Sequence, residues 1–220
     1  MKRKFVVIAF LSLTLLTGGV YAKSFKDTNN HWAKNAVDNI TNLNVMNGYE
    51  NSYFKPDQLM KKVEFYSLVN KLSSLNKTYT VTFSDVNPND WYYNDVAKAI
   101  KAGYLIPTMG KLYPDEPITR EEVCEILGYM YGLRKNKDVL KEFHDYNEIS
   151  ESAKGYVGAM VKANIINGYS QNIFAPKRGM TRAEIATVVN SLMEEYNRPQ
   201  GKVVIDSKIK FGNRNLYEQF

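Results

Sequence analysis

This chain writes one unit three times. "FKDTNNHWAKNAV" opens at Phe25, "FSDVNPNDWYYNDVAKAI" at Phe83 and "FHDYNEISESAKGYV" at Phe143. Each Phe-x-Asp opening leads to an aromatic-x-Pro landmark: Phe54-Lys55-Pro56, Phe174-Ala175-Pro176, and Tyr113-Pro114 with its aromatic one place nearer. Each unit closes on a helix-period segment whose first turn contains Glu64, Glu122 or Glu184. The phenylalanines lie 58 and 60 residues apart and the glutamates 58 and 62 apart. Ordered agreement at three anchors excludes coincidence. A unit of this kind cannot bury its apolar stripe alone, so the copies must pack on one another.

Each copy reads as two helices joined by a polar, aromatic loop. In the first, Trp32, Ala36, Val37, Ile40 and Leu43 have helical spacing, and Phe65, Leu68, Val69 and Leu72 mark the second helix. In the third, Val157, Met160, Val161 and Ile165 precede Ile185, Val188, Val189 and Leu192. Pro56, Pro114 and Pro176 prevent the first half from continuing as helix. Gly48 suits the φ > 0 position that ends a helix. The fold class expected is mainly α: three helix-loop-helix repeats closing into a pseudo-threefold bundle rather than an open solenoid.

The repeats are expected at 23–78, 79–140 and 141–197. Before them, Lys2, Arg3 and Lys4 precede the apolar run "FVVIAFLSLTLL", and Val20 and Ala22 supply small residues for cleavage. Residues 1–22 therefore read as a secretory signal peptide, making the protein exported. After them, "KVVIDSKIKF" alternates like a strand within a short tail, 198–220.

Composition narrows the function classes. The full chain carries 29 basic and 23 acidic residues, a formal +6. Three of the basic residues lie in the signal and five in the tail, which has two acids, so the body is close to neutral. Nucleic-acid binding, which needs clustered cations, has no footprint. Cys124 is the only cysteine, so no intramolecular disulfide forms, and its helix-period setting reads as core. A chain that is 44% hydrophobic and about two hundred residues long after signal removal buries a sizeable core without staples.

One residue type is out of place. Thr181 and Glu184 have capping-box spacing, yet Arg182 sits between them in the first helical turn. The positive end of the helix dipole disfavours a cation there by about 0.3–1 kcal/mol. Arg120 recurs at the same place in "ITREE".

Phe-x-Asp, Trp-Ala, the Gly-Tyr loop ending in Phe-x-Pro, and Thr-Arg-Ala-Glu opening a helix resemble the S-layer homology family, over residues 25 to 196. The resemblance implies a non-catalytic module without cofactor or metal, in which inter-repeat grooves bind pyruvylated secondary cell wall polysaccharide. It implies a location at the cell wall or surface layer. On this reading the free amides of a helix N-terminus join Arg182 to receive the ligand's carboxylate.

The ligand-binding residues carried over are Arg182, Arg120 and Lys62; Asp27, Asp85 and Asp145; Trp32 and Trp91; and Gly48 and Gly168. Alternatives stand beside each: a protein carboxylate as the arginine's partner, an N-cap or turn role for the aspartates, core burial for the tryptophans and helix capping for the glycines. Glu64, Glu122 and Glu184 sit at capping-box positions and do not read as catalytic acids.

Departures grade the grooves. Copy one has "KKVE", with Lys62 for the arginine and Lys61 for the capping threonine. Copy two has "LIPTMG" in place of the "NGY" loop, and copy three has Glu151 in the tryptophan slot. The better-equipped pairs are then Arg182 with Gly168 and Lys62 with Gly48. Two rival readings remain: the targeting module of a wall-active enzyme, and a structural assembly protein contacting other surface proteins.

Overall fold

The computed structural model describes residues 23–197 and 199. The expected signal segment 1–22 and the strand-like stretch 202–211 of the tail lie outside them. The described residues are mainly helical and contain no sheet. Two principal helices fall in each repeat: α1 (Lys34–Asn42) and α2 (Lys62–Leu72), α3 (Tyr93–Ala102) and α4 (Arg120–Met130), α5 (Glu151–Lys162) and α6 (Arg182–Tyr196).

The helices form a closed ring. The second helix of each repeat packs on the first helix of the next: α2 on α3, α4 on α5, and α6 back on α1. At the hub, just before each second helix, three backbone amides close a triangle. Met60 N–H donates to Met180 C=O (3.0 Å), Met180 N–H to Ile118 C=O (3.0 Å), and Ile118 N–H to Met60 C=O (2.9 Å). All three side chains are buried. The pseudo-threefold expectation is met by hydrogen bonds as well as by packing.

The apolar stripes behave as their spacing predicts. Val37, Ile40, Phe65, Val69, Val157, Met160, Ile185, Val189 and Leu192 are essentially inaccessible. Two positions in the first stripe depart: Trp32 lies before α1 and is exposed, and Leu43 caps its end and is exposed. Thr41 takes an inward place instead, its hydroxyl donating to Val37 C=O at 2.7 Å. Cys124 is wholly buried, and burial pushes its thiol up to about 12, so it is core and not nucleophile.

Three readings of the loops need correction. The left-handed residues that end α1 and α5 are Asn44 (φ 56°) and Asn164 (φ 54°), not Gly48 or Gly168. Gly48 is required by contact: a Cβ there would lie 2.1 Å from a Phe25 ring carbon and 2.8 Å from Tyr53 C=O. The same holds for Gly168, whose Cβ would lie 2.9 Å from Ser170 C=O and 3.0 Å from Phe143. Each loop folds over its own Phe-x-Asp phenylalanine, which leaves no room for a side chain.

In repeat two Leu112, not Tyr113, occupies the place of Phe54 and Phe174. Leu112 is buried, while Tyr113 is exposed at φ 56°, matching Lys55 and Ala175 at φ 57°. The tryptophan slot of repeat three is Ser152 and not Glu151. Counting five residues back from the buried Val37, Val96 and Val157 gives Trp32, Trp91 and Ser152. Glu151 lies one place earlier and is held by Lys137 and Lys154.

Candidate functional site: the grooves between repeats

The three Phe-x-Asp carboxylates do one job. Asp27 accepts from the backbone N–H groups of Phe54 (2.9 Å) and Lys55 (2.7 Å). Asp85 accepts from Leu112 (2.8 Å) and Tyr113 (2.9 Å), and Asp145 from Phe174 (2.9 Å) and Ala175 (2.7 Å). In each pair the second residue is non-glycine in the left-handed region, a conformation that costs energy unless its surroundings fix it. The aspartates are therefore loop clamps and not helix N-caps.

Burial works to raise the Asp85 carboxyl, but the Leu112 and Tyr113 amides outweigh it and hold the group below its ordinary value. A folded pKa below the unfolded one gives stabilisation that is present above about pH 4 and is lost as pH falls through the folded value. We expect amide exchange at Leu112 and Tyr113, corrected for intrinsic rate, to be slow at pH 6 and to lose protection as pH falls below the ordinary carboxylate range and Asp85 takes up its proton. Protection unchanged across that range would refute the clamp.

The arginines are where the sequence places them on the helices, but their partners lie in another repeat. Arg182 is 6% exposed; its Nε donates to Phe54 C=O (2.9 Å) and its Nη2 to Asn47 C=O (2.7 Å). Its guanidinium carbon sits 4.5 Å from the Phe54 ring centroid and 4.7 Å from that of Tyr49. Arg120 repeats this one groove round, with Nε to Phe174 C=O and Nη2 to Asn167 C=O, both 2.8 Å, and its guanidinium 4.8 Å from the Phe174 centroid. Burial lowers both guanidinium pKa values, and nearby acidic groups work against that shift.

Arg182 thus belongs with Gly48, and Arg120 with Gly168; the expected pairing of Arg182 with Gly168 and Lys62 with Gly48 is incorrect. The ring brings each second helix to its neighbour's loop, so a groove is always built by two repeats.

The helix N-termini are not open amide sites either. At α6, Thr181 N–H goes to Glu184 (2.9 Å), Arg182 N–H to Gln58 C=O (2.9 Å), Ala183 N–H to Pro56 C=O (2.9 Å), and Glu184 N–H to the Thr181 hydroxyl (3.2 Å). At α4, Arg120 and Glu121 N–H bind Arg178 and Pro176 C=O. The dipole penalty of a first-turn cation is met by carbonyl oxygens of the adjoining loop. What remains for an outside anion is the guanidinium edge at Nη1, which has no acceptor among the described residues and forms no ion pair there.

Lys62 differs. It lies 3.4 Å from Glu116 and 3.6 Å from Glu122, so internal carboxylates neutralise it. Its groove also contains the departing loop of repeat two. Trp32 and Trp91 expose 66% and 67% of their surface, and their rings touch His31 and Tyr92 rather than either arginine. Core burial, the alternative for both, does not occur.

Several groove residues were not singled out from sequence. Tyr49 lies between Arg182 and Lys55, whose Nζ is 4.5 Å from the ring centroid, and its hydroxyl donates to Glu64 at 3.3 Å. In the next groove Arg178 stacks 4.3 Å from the Tyr169 centroid and makes two bonds to Glu184. The Gly-Tyr dipeptide was the available signal for both tyrosines.

The model for the S-layer homology domain matches residues 24–65, 82–124 and 142–186. The chain is similar to an exoglucanase, XynX, of Acetivibrio thermocellus, 34% identical across 83% of this chain and 18% of that protein. It is similar to an amylopullulanase of Thermoanaerobacterium thermosulfurigenes, 32% identical across 80% of this chain and 10% of the relative. A cellulosome-anchoring protein of Acetivibrio thermocellus is 26% identical across 68% of this chain and 35% of the relative. The chain spans a minor part of each of these proteins.

Proposed function

The chain belongs to the S-layer homology domain family, and from that premise we propose that it anchors its protein to the bacterial cell wall by gripping pyruvylated secondary cell wall polysaccharide in two of its three grooves. A cell-surface location and a role in holding to surface polymer follow from the family and from the cellulosome-anchoring relative.

One observation carries the finer reading. Arg182 and Arg120 are pinned by carbonyls and aromatic rings yet lack a carboxylate partner among the described residues, whereas Lys62 has two. A buried guanidinium with no carboxylate in direct contact is costly, and an incoming carboxylate at Nη1 supplies one. Tyr49 stacks on Arg182 in one groove and Tyr169 on Arg178 in the other, and the aspartate clamps hold both loops.

The test is co-sedimentation with purified walls before and after chemical removal of pyruvate. Pelleting with native walls and about a tenfold or larger loss on depyruvylated walls is the expected result, matching a charge-assisted contact of about 1.5–3 kcal/mol. Equal pelleting on both overturns the pyruvate reading, and pelleting on neither overturns wall anchoring. The enzyme relatives favour a second reading, in which the chain is the wall-targeting part of a longer polysaccharide-active protein. Release of reducing sugar from walls by this chain itself would make it more than an anchor.

A further inference from the structure

We propose that a cleft remote from the grooves is a second anion site, taking a phosphate- or carboxylate-bearing oligosaccharide segment. The cleft has a volume of about 680 Å³ and lies between the linker after α4, the end of α5 and Tyr196 at the end of α6. That size is typical of small-ligand sites. α6 has 15 residues and rises about 1.5 Å per residue, so the cleft stands roughly 20 Å from Arg182 at the other end of the helix.

Its charge is one-sided. Arg134, Lys135, Lys137 and Lys162 line it against a single acid, Asp138. Lys137 is paired with Glu151, and the Lys135 Nζ rests 4.7 Å over the Tyr156 ring. Arg134 and Lys162 have no carboxylate partner among the described residues. Residues 198–220, which follow in sequence, carry five basic and two acidic side chains, again an excess of cations.

The walls are fixed. Asn136 N–H donates to Gly155 C=O at 2.9 Å, and Asp138 N–H to the Asn136 side chain at 3.0 Å. A Cβ on Gly158 would fall 1.9 Å from Asn136 C=O, which shows how closely the linker lies on α5. Tyr196 is 40% exposed and stands edge-on to Tyr131, offering ring surface on the cleft's rim. Cations around an aromatic ring suit a sugar that carries anionic substituents.

The experiment is calorimetric titration of the full chain, at low salt, with a glycerol-phosphate oligomer and with an oligogalacturonate of matched length. Binding of at least one probe, weakening as salt rises, is expected. The double variant Arg134→Gln/Lys162→Gln changes two exposed residues and is expected to weaken binding about tenfold or more, with its thermal transition unchanged. Binding of the phosphate probe alone assigns a phosphodiester ligand, and binding of the carboxylate probe alone a uronate-type one. Arg182→Lys is expected to bind the probe like the parent, which separates this cleft from the grooves. Failure of both probes, or equal binding by the double variant, overturns the proposal and leaves the pyruvate reading intact.

Discussion

Arg182→Ala is expected to lower unfolding stability by about 2–4 kcal/mol, because it leaves the Phe54 and Asn47 carbonyls short of a charged donor at a buried position. For a chain of this size each kcal/mol moves the melting temperature by roughly 2–4 °C, so calorimetry should record a fall of about 4–16 °C. The contact joins repeat three to repeat one, between which no described linker runs, so the loss falls on the closure of the ring. Lys62→Ala removes only partly exposed ion pairs and should cost less than about 1 kcal/mol. Equal melting shifts in the two variants would contradict the assignment. Arg182→Lys keeps the charge without the two-point geometry, and it allows wall binding to be measured in a folded protein. There the affinity should drop by about tenfold or more while secondary structure is retained.

Phe174→Ala is the other large effect. Phe174 is wholly buried, packs 5.7 Å from Phe143 between centroids, and lies beneath Arg120. Truncation removes core contacts and the guanidinium's platform together, for about 3–5 kcal/mol by denaturant unfolding. Phe174→Leu should cost much less, about 1 kcal/mol, because repeat two already fills the equivalent place with Leu112. An alanine variant no less stable than the leucine variant would show that the aromatic position is not part of the core.

Much of the fold was legible because its determinants are local. Apolar stripes at helical spacing, Thr-x-x-Glu boxes and the repeated Phe-x-Asp act within one or two turns of chain, and the helices start where the boxes place them at Arg120 and Arg182. The candidate site was legible only by residue type. Arg182 bonds residues 128 and 135 positions away, and no spacing rule links a helix in one copy to a loop in another. Same-copy pairing was the simplest assumption, and ring closure makes it wrong. Gly48 was misassigned for a related reason. Its constraint comes from the Phe25 ring rather than from its own backbone angle, and packing across a loop leaves no local mark. The tryptophan slot of repeat three was displaced by one because the stretch from the Phe-x-Asp phenylalanine to the buried valine lengthens by one residue in each repeat, so counting from Phe143 as from Phe83 falls on Glu151.

The Met60–Ile118–Met180 triangle is written in backbone amides and carbonyls alone, so any residue except proline can supply its donor. The rims are built otherwise. There the guanidinium that would meet a guest also ties one copy to the next. A face of this module cannot trade arginine for another residue without loosening a seam, whereas the hub asks of its three positions only an N–H and an apolar side chain.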